Sequence, residues 1–146
     1  MSIISTVNRC VDSVGNNTQT LSWTLLRVLG SAMFMTHGWP KMFGTQAQPF
    51  LGGMGFFGID VGVNMLWVAG AIELFGGALL LLGLFTRYAA LFAAVLMVMA
   101  YLTAHPAWFP TLNNGELATL YFLVYFAIFA IGPGKISLDY LIRGRS

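Results

Sequence analysis

The chain has 146 residues and a formal net charge of +2, with 58% of its residues apolar and 8% charged. Soluble domains carry about 25% charged residues, so this composition excludes an ordinary soluble protein and predicts an integral membrane protein in contact with the lipid bilayer. The basic residues form no cluster, which excludes nucleic acid as a partner. A single cysteine, Cys10, excludes an internal disulfide and a two-thiol redox cycle within the chain.

Apolar stretches of spanning length predict an all-α fold, a four-helix transmembrane bundle over residues 21–134. A polar tail over residues 1–20 precedes this domain, and a cytoplasmic tail over residues 135–146 follows it. Pro40 discourages the helical conformation at the residue before it, and the glycines around Pro133 stop the last span. The four predicted helices cover residues 21–39, 61–85, 88–104 and 117–131.

The stretch between the first two spans, residues 44–60, is too short and too rich in glycine to cross a bilayer, although it is aromatic and apolar. One interpretation is a folded or re-entrant lid, in which protein or water satisfies the irregular backbone. The other is an interfacial loop with a short amphipathic helix. Both interpretations place this stretch at the edge of the membrane.

The basic residues predict how the chain is oriented in the membrane. Four helices place both termini on one side, and the opposite face carries Lys41 alone. Because basic residues favour the cytoplasmic side, both termini are predicted to be cytoplasmic. The basic residues on the side of the termini are Arg9, Arg87, Lys135, Arg143 and Arg145.

Glu73 is the one charged residue inside the second predicted helix and lies near its middle. A charge at that depth costs about 2.5–3.5 kcal/mol on insertion scales, so it needs a partner. Arg27, about 9 Å inside the cytoplasmic edge, is the predicted partner. The pair either fixes the helix register or acts as a proton relay and as the hydrogen-bonding end for a quinone or a similar carbonyl compound. The face of Glu73 also carries small residues that let another backbone come close, namely Gly70, Gly76 and Gly77.

Four titratable side chains are predicted to converge on the outer mouth of the bundle. His37 and His105 either cap helix ends or, with Glu116 as an oxygen ligand, hold a transition metal or a haem. Lys41 either extends to the surface or donates to an anion or a quinone oxygen beside His37 on one helical face. Tyr121 and the neighbouring aromatic residues of the fourth helix either pack in the bundle or stack on a quinone ring.

Polar and glycine motifs follow one another in a definite order along the chain. They are Arg27, His37-Gly38 with Lys41, Glu73 with Gly76-Gly77, Leu82-Gly83-Leu84 with Thr86-Arg87, His105, Gly115-Glu116, Gly132-Pro133-Gly134 and Ser137-Leu138-Asp139. This ordered set resembles the DoxX family of small bacterial inner-membrane proteins. The resemblance implies four transmembrane helices and a bacterial plasma membrane. It also implies a link to redox chemistry, because members are connected with quinone-coupled sulfur oxidation, with accessory subunits of terminal oxidases and with oxidative-stress complexes that contain soluble partners.

Three functions follow as hypotheses. The first is an accessory subunit of a quinone-linked membrane redox system, with Arg27, Glu73 and His37 as polar contacts and proton handlers, and with Lys41 and Tyr121 as further quinone contacts. The sequence shows no electron carrier, so any oxidoreductase activity requires a soluble or membrane redox partner. The second is a non-catalytic membrane scaffold or a small-molecule permease, and the third is a metal- or haem-binding membrane protein. Assembly into a homo-oligomer is compatible with each of them.

Overall fold

A computed structural model describes residues 3–53, 55 and 58–143 of the chain, and these residues form an all-α fold, which confirms the all-α part of the prediction. The outermost parts of the predicted tails, residues 1–2 and 144–146, lie outside the described residues. The helices are α1 (Ile3–Met42), α2 (Met65–Leu82), α3 (Thr86–Ala104), α4 (Glu116–Ile131) and α5 (Leu138–Arg143). Of these, α2 and α3 are long and apolar enough to cross a membrane, and α4 is a shorter apolar helix.

Helix α1 is longer at both ends than the predicted span over residues 21–39. It begins at Ile3, so the polar stretch predicted as a tail is helical, and it continues through Pro40 to Met42. The polar half contains no proline, and an isolated Gly15 costs only about 1 kcal/mol relative to alanine. Pro40 lies in the last turn, where its missing N–H removes one hydrogen bond without ending the helix.

Helix α2 is interrupted at its centre by a π-helical turn. The Asn64 side chain accepts a hydrogen bond from the backbone N–H of Leu66 at 3.0 Å, which caps the start of the helix. Gly83 ends the helix in the left-handed conformation, with φ 67°. Between these ends, Ile72–Gly76 is wound as a π-helix and contains Glu73. A π turn shifts the direction of the side chains around it, and such turns are frequent at functional sites.

The packed interior of the molecule lies between α3 and α4. Small residues of α3, such as Ala90 and Ala93, are fully buried and lie in one core with Tyr125 and Ile128 of α4. Small side chains allow two helices to approach closely, which is the usual basis of helix packing in membranes. The outward faces of the same helices carry exposed apolar side chains, including Phe92 on α3 and Phe126 on α4. A lipid bilayer would solvate such faces.

The stretch between α1 and α2 folds back onto the start of α2. The Asn64 side chain donates to the Gln48 side chain at 2.9 Å, and the Phe50 ring packs edge-on against Trp67 at 4.7 Å between centroids. Residues 54, 56 and 57 of the predicted lid lie outside the described residues. The choice between a re-entrant lid and an interfacial loop therefore stays a prediction.

Candidate functional site

Two glycines bring α1 and α2 into backbone contact beside Glu73. A Cβ atom added to Gly38 of α1 would lie 2.7 Å from the Gly70 carbonyl oxygen and 2.7 Å from the Leu74 nitrogen. A Cβ atom added to Gly70 of α2 would lie 2.8 Å from the Cβ atom of Lys41. These distances are shorter than van der Waals contact, so only glycine fits at both positions. The expected close approach on the face of Glu73 is confirmed for Gly70 and for Gly77, where a Cβ atom would lie 3.2 Å from the Ser31 carbonyl oxygen of α1. It is not found at Gly76, where a Cβ atom would meet only Ile72, at 3.8 Å.

Glu73 is paired with Lys41 rather than with Arg27. The Lys41 Nζ atom donates to the two carboxylate oxygens at 2.5 Å and 2.6 Å, and the side chains of Lys41 and Glu73 are 20% and 5% exposed. The expectation that Lys41 extends to the surface is wrong, because the buried carboxylate draws the ammonium group inward. The close contact at Gly38 makes this pairing possible, since it holds the last turn of α1 against the π turn of α2.

Aromatic side chains of α1 and α4 form the wall beside this ion pair. The Tyr121 ring meets the His37 ring edge-on at 5.9 Å and the Phe34 ring at 5.5 Å between centroids. Tyr121 also stacks on Tyr125 at 5.8 Å with nearly parallel planes. His37 is exposed while Tyr121 is only 8% exposed, so the wall runs from the surface into the interior.

The Tyr121 hydroxyl group is buried, and none of the described residues forms a hydrogen bond with it. It interacts electrostatically with the Glu73 carboxylate, which also interacts with His37. Tyr125 differs, because its hydroxyl group donates to the Gly30 carbonyl oxygen at 3.2 Å. Tyr121 thus keeps an unused donor, its ring meets the His37 ring, and its hydroxyl group lies within electrostatic range of the Glu73 carboxylate that Lys41 holds. Such a set can bind a polar oxygen atom and can exchange protons with it.

Arg27 occupies the opposite end of α2 and does not contact Glu73. Its guanidinium group donates to the carbonyl oxygens of Leu80 and Leu81 at 2.6 Å and 2.8 Å, and to that of Ile136 at 2.5 Å. The predicted pairing of Arg27 with Glu73 is therefore wrong. Helices α1 and α2 run antiparallel, so the part of α1 around Arg27 lies level with the C-terminal end of α2. The last carbonyl groups of a helix have no N–H partner within that helix.

The predicted metal ligands His37, His105 and Glu116 do not come together. Among the described residues no group of three or more histidine, cysteine, aspartate or glutamate side chains is close enough to hold a metal ion. The Nδ1 atom of His105 lies 2.8 Å from the Asn113 carbonyl oxygen, and Glu116 is exposed in the first turn of α4. This geometry fits the alternative interpretation, in which His105 caps the end of a helix.

Asp139 has a structural role that its place in a polar tail did not reveal. Its carboxylate accepts hydrogen bonds from the N–H groups of Phe85 and Thr86 at 2.9 Å and 2.8 Å, and so caps the start of α3. Burial alone would raise the pKa of Asp139, but these donors outweigh it, and the pKa lies below its ordinary value. Together with Arg27, Asp139 ties the turn between α2 and α3 to the chain segment after α4.

A separate groove of about 680 Å³ lies between α1 and the chain after α4. Its lining includes Trp23, Leu26 and Ile131, and its charged residue is the exposed Lys135. It contains no buried titratable side chain comparable to Glu73. The Lys41–Glu73 pair is therefore the stronger candidate site of the two.

Comparisons with known proteins point to one family. The family model of DoxX matches residues 22–106, more than half of the chain. An uncharacterized protein of Haemophilus influenzae is 42% identical over 119 residues, which cover 78% of this chain and 85% of that protein. The Bacillus subtilis protein named "Putative oxidoreductase CatD" is 30% identical over 132 residues, which cover 89% of this chain and 94% of that protein. No solved structure matches the chain significantly.

Proposed function

We propose, given that this chain belongs to the DoxX family, that it is an accessory subunit of a quinone-linked membrane redox system. The quinone, or a related hydrophobic redox molecule, binds beside the Lys41–Glu73 pair against the Tyr121 and His37 rings. The observation that carries this proposal is the buried Tyr121 hydroxyl group, which has no hydrogen-bond partner among the described residues. The name of the Bacillus subtilis relative supports the same class of function.

The unpaired hydroxyl group of Tyr121 favours a ligand that accepts a hydrogen bond. A buried donor without a partner costs about 1–3 kcal/mol, and a bound carbonyl oxygen would remove that cost. Lys41 supplies a second donor at the edge of the site, where its side chain is 20% exposed. The exposed His37 ring, which meets the Tyr121 ring edge-on at 5.9 Å, offers an aromatic face for a planar ring. A quinone combines both features, since it is a planar ring with carbonyl groups at its ends.

The residues around the ion pair suit proton transfer to such a ligand. A quinone takes up two electrons and two protons when it is reduced to a quinol. Glu73 holds a proton-accepting carboxylate inside the site, and the exposed His37, which interacts electrostatically with it, can exchange protons with the surroundings. Cys10 is the single thiol of the chain, so no pair of thiols within it can supply the electrons. We assign that supply to a soluble or membrane partner protein.

The proposal places the chain as a multi-pass protein in the bacterial inner membrane. Helices α2 and α3 each have the length and apolarity of a span, and the predicted span in α1 and the apolar α4 complete a four-helix transmembrane bundle. Most of the basic residues fall in segments predicted to lie on the side of the two termini, which supports a cytoplasmic location of both. The site at Glu73 then lies in the outer half of the membrane.

The test is the quinone content of the full-length chain after purification in mild detergent. We expect stoichiometric quinone in the organic extract of the wild type, and roughly tenfold less in Tyr121→Phe because one hydrogen bond to the ligand is lost. The matched control is Tyr125→Phe, which should retain its quinone since its hydroxyl group is bonded inside the fold. A quinone-free wild type, or equal content in Tyr121→Phe, would overturn the proposal.

A non-catalytic scaffold is the second candidate, favoured by the complete pairing of Glu73 with Lys41. In that case the two charges hold α1 against α2 and have no ligand. A double replacement of both residues by methionine distinguishes the candidates. A scaffold would retain its cellular function once the apolar pair folds, whereas the redox subunit would lose it.

A further inference from the structure

The first half of α1 is exposed, and its end, from Gly15 onward, lines the groove between α1 and the chain after α4. Residues 3–19 are all exposed, and Arg27 is the first buried residue of the helix. From Ile3 to Thr20 the helix spans roughly 27 Å at 1.5 Å per residue. An isolated helix of this length is marginally stable in water, so a packing partner would stabilise it.

An exposed apolar stripe runs along this half of α1 with a 3.5-residue repeat. Val7, Val11 and Val14 are each more than half exposed. The spacing of the stripe alternates between three and four residues over three heptads, which is the pattern of a coiled-coil seam. In order, the seam positions are Ile4, Val7, Val11, Val14, Thr18, Leu21 and Leu25.

Thr18 fits this seam although it is polar. Its hydroxyl group donates to the Val14 carbonyl oxygen at 2.9 Å and lies 3.2 Å from the Gly15 carbonyl oxygen. Because the hydroxyl group is bonded to its own helix, the residue presents its methyl group to a partner. Burying Thr18 in the seam would therefore leave no unpaired hydroxyl group.

The positions that flank the seam carry no charge. Asn8 and Gly15 lie on one side of it, and Cys10 and Asn17 on the other. In a parallel coiled coil these positions face one another across the interface, so two identical helices meet without like-charge repulsion. The charged side chain of Asp12 lies away from the seam. The charge pattern thus suits a second copy of the same helix.

A membrane surface is a poorer fit for this stripe. Helices that lie in the interface carry a broad face of bulky apolar residues and many basic residues on the polar face. Here the stripe is narrow and its N-terminal half is made of β-branched residues. Moreover, α1 is continuous from Ile3 to Met42, so its first half follows the direction of the predicted span instead of turning into the membrane plane.

We propose that two copies of this chain associate through the seam Ile4–Leu25 as a parallel coiled coil at the membrane. The arrangement is parallel because copies inserted with the same orientation present α1 in the same direction. Confinement of both copies to one membrane raises their effective concentration, which allows so short a seam to associate.

Disulfide cross-linking of the full-length chain in native membrane vesicles tests this interface. Each cysteine is introduced separately into a chain that also carries Cys10→Ser. We expect the oxidant to convert the Val11→Cys and Val14→Cys variants largely to dimers. The matched control Asn16→Cys, on the opposite face of the helix, should stay monomeric. Equal cross-linking at all three positions, or none at any, would overturn the proposal. Seam cysteines that resist both the oxidant and a water-soluble maleimide would indicate burial in lipid and overturn it as well.

Charge substitution gives an independent readout that does not depend on cysteine. Val11→Glu with Val14→Glu places like charges in the seam, and we expect the mass of the detergent-solubilised chain to fall from dimer to monomer. Ser13→Glu with Asn16→Glu adds the same charge on the outer face and should leave the dimer intact. A monomeric wild type, or a dimer that survives the seam substitutions, would contradict the interface. Retained helicity shows that the seam variant is folded.

Discussion

The Nζ atom of Lys41 lies 2.5 Å and 2.6 Å from the two carboxylate oxygens of Glu73, so the last turn of α1 neutralises the one charge buried in α2. The two residues are 32 positions apart, and the stretch between α1 and α2 separates them. Glu73 is 5% exposed, so its charge depends on compensation by this ammonium group, which is its ion-pair partner among the described residues. The pair is thus both a structural contact and the polar centre of the proposed site.

Removing Lys41 alone should destabilise the chain strongly. In Lys41→Met the Glu73 carboxylate loses its cation, and we expect a loss of about 3–5 kcal/mol in the free energy of unfolding. In the double variant with Glu73→Met no charge remains, and most of that loss should be recovered. Thermal unfolding in detergent measures both variants, with Lys135→Met at an exposed position as the control. A double variant less stable than Lys41→Met would be inconsistent with the ion pair.

Arg27 and Glu73 should behave as independent residues. Arg27→Met removes the donors to three carbonyl oxygens and should lower stability, but its effect should add to that of Glu73→Gln within about 0.5 kcal/mol. A double-mutant cycle by thermal unfolding checks this. A coupling energy well above about 0.5 kcal/mol would instead support the predicted pairing of Arg27 with Glu73.

Gly38 and Gly76 should respond oppositely to alanine. The Cβ atom of Gly38→Ala would meet the backbone of Gly70 and Leu74, so we expect a loss of about 1–3 kcal/mol and a weakened Lys41 contact. Gly76→Ala meets only Ile72, at 3.8 Å, and should stabilise its helix by about 0.5–1 kcal/mol. The unfolding temperatures of the two variants give the comparison. Equal effects would mean that α1 and α2 are not in backbone contact at Gly38.

The cap formed by Asp139 should make stability depend on pH in the acid range. Because its pKa is lowered in the folded state, its contribution is complete above the unfolded value of about 3.9 and disappears as the pH falls through the lower folded value. Asp139→Asn should therefore be less stable than the wild type by about 1–3 kcal/mol at pH 7, and the difference should shrink below pH 4. Unfolding of the wild type and of Asp139→Asn across this pH range measures the difference in their free energy of unfolding. A difference that does not change with pH would rule out the charged cap.

The sequence is sufficient to predict the apolar helices α2, α3 and α4, but not how far α1 is shifted along α2. Apolar runs predict helices at α2, α3 and α4, and the glycines beside Glu73 predict a close contact. The partner of Glu73 depends on how far α1 slides along α2, which the intervening stretch and the π turn determine. No periodicity in the sequence reports that stagger, so the sequence predicts the end of α2 near which Arg27 lies but wrongly pairs it with Glu73.

Other features were missed because helix rotation and weak repeats are hard to read. Tyr121 is one of several aromatic residues on α4, and only the fold reveals that its hydroxyl group is buried without a hydrogen-bond partner among the described residues. The sequence predicts a tail over the first half of α1 because short polar residues outnumber the apolar ones there. The 3.5-residue spacing of its valines was the signal that could have identified it as a helix.

The most direct measurement of the central claim is the affinity of the purified chain for a short-chain quinone, by titration of the wild type, Tyr121→Phe and Tyr125→Phe. The account predicts saturable binding by the wild type, roughly tenfold weaker binding by Tyr121→Phe and unchanged binding by Tyr125→Phe. Absence of saturable binding by the wild type, or the same affinity in Tyr121→Phe, would contradict a quinone site beside Lys41 and Glu73.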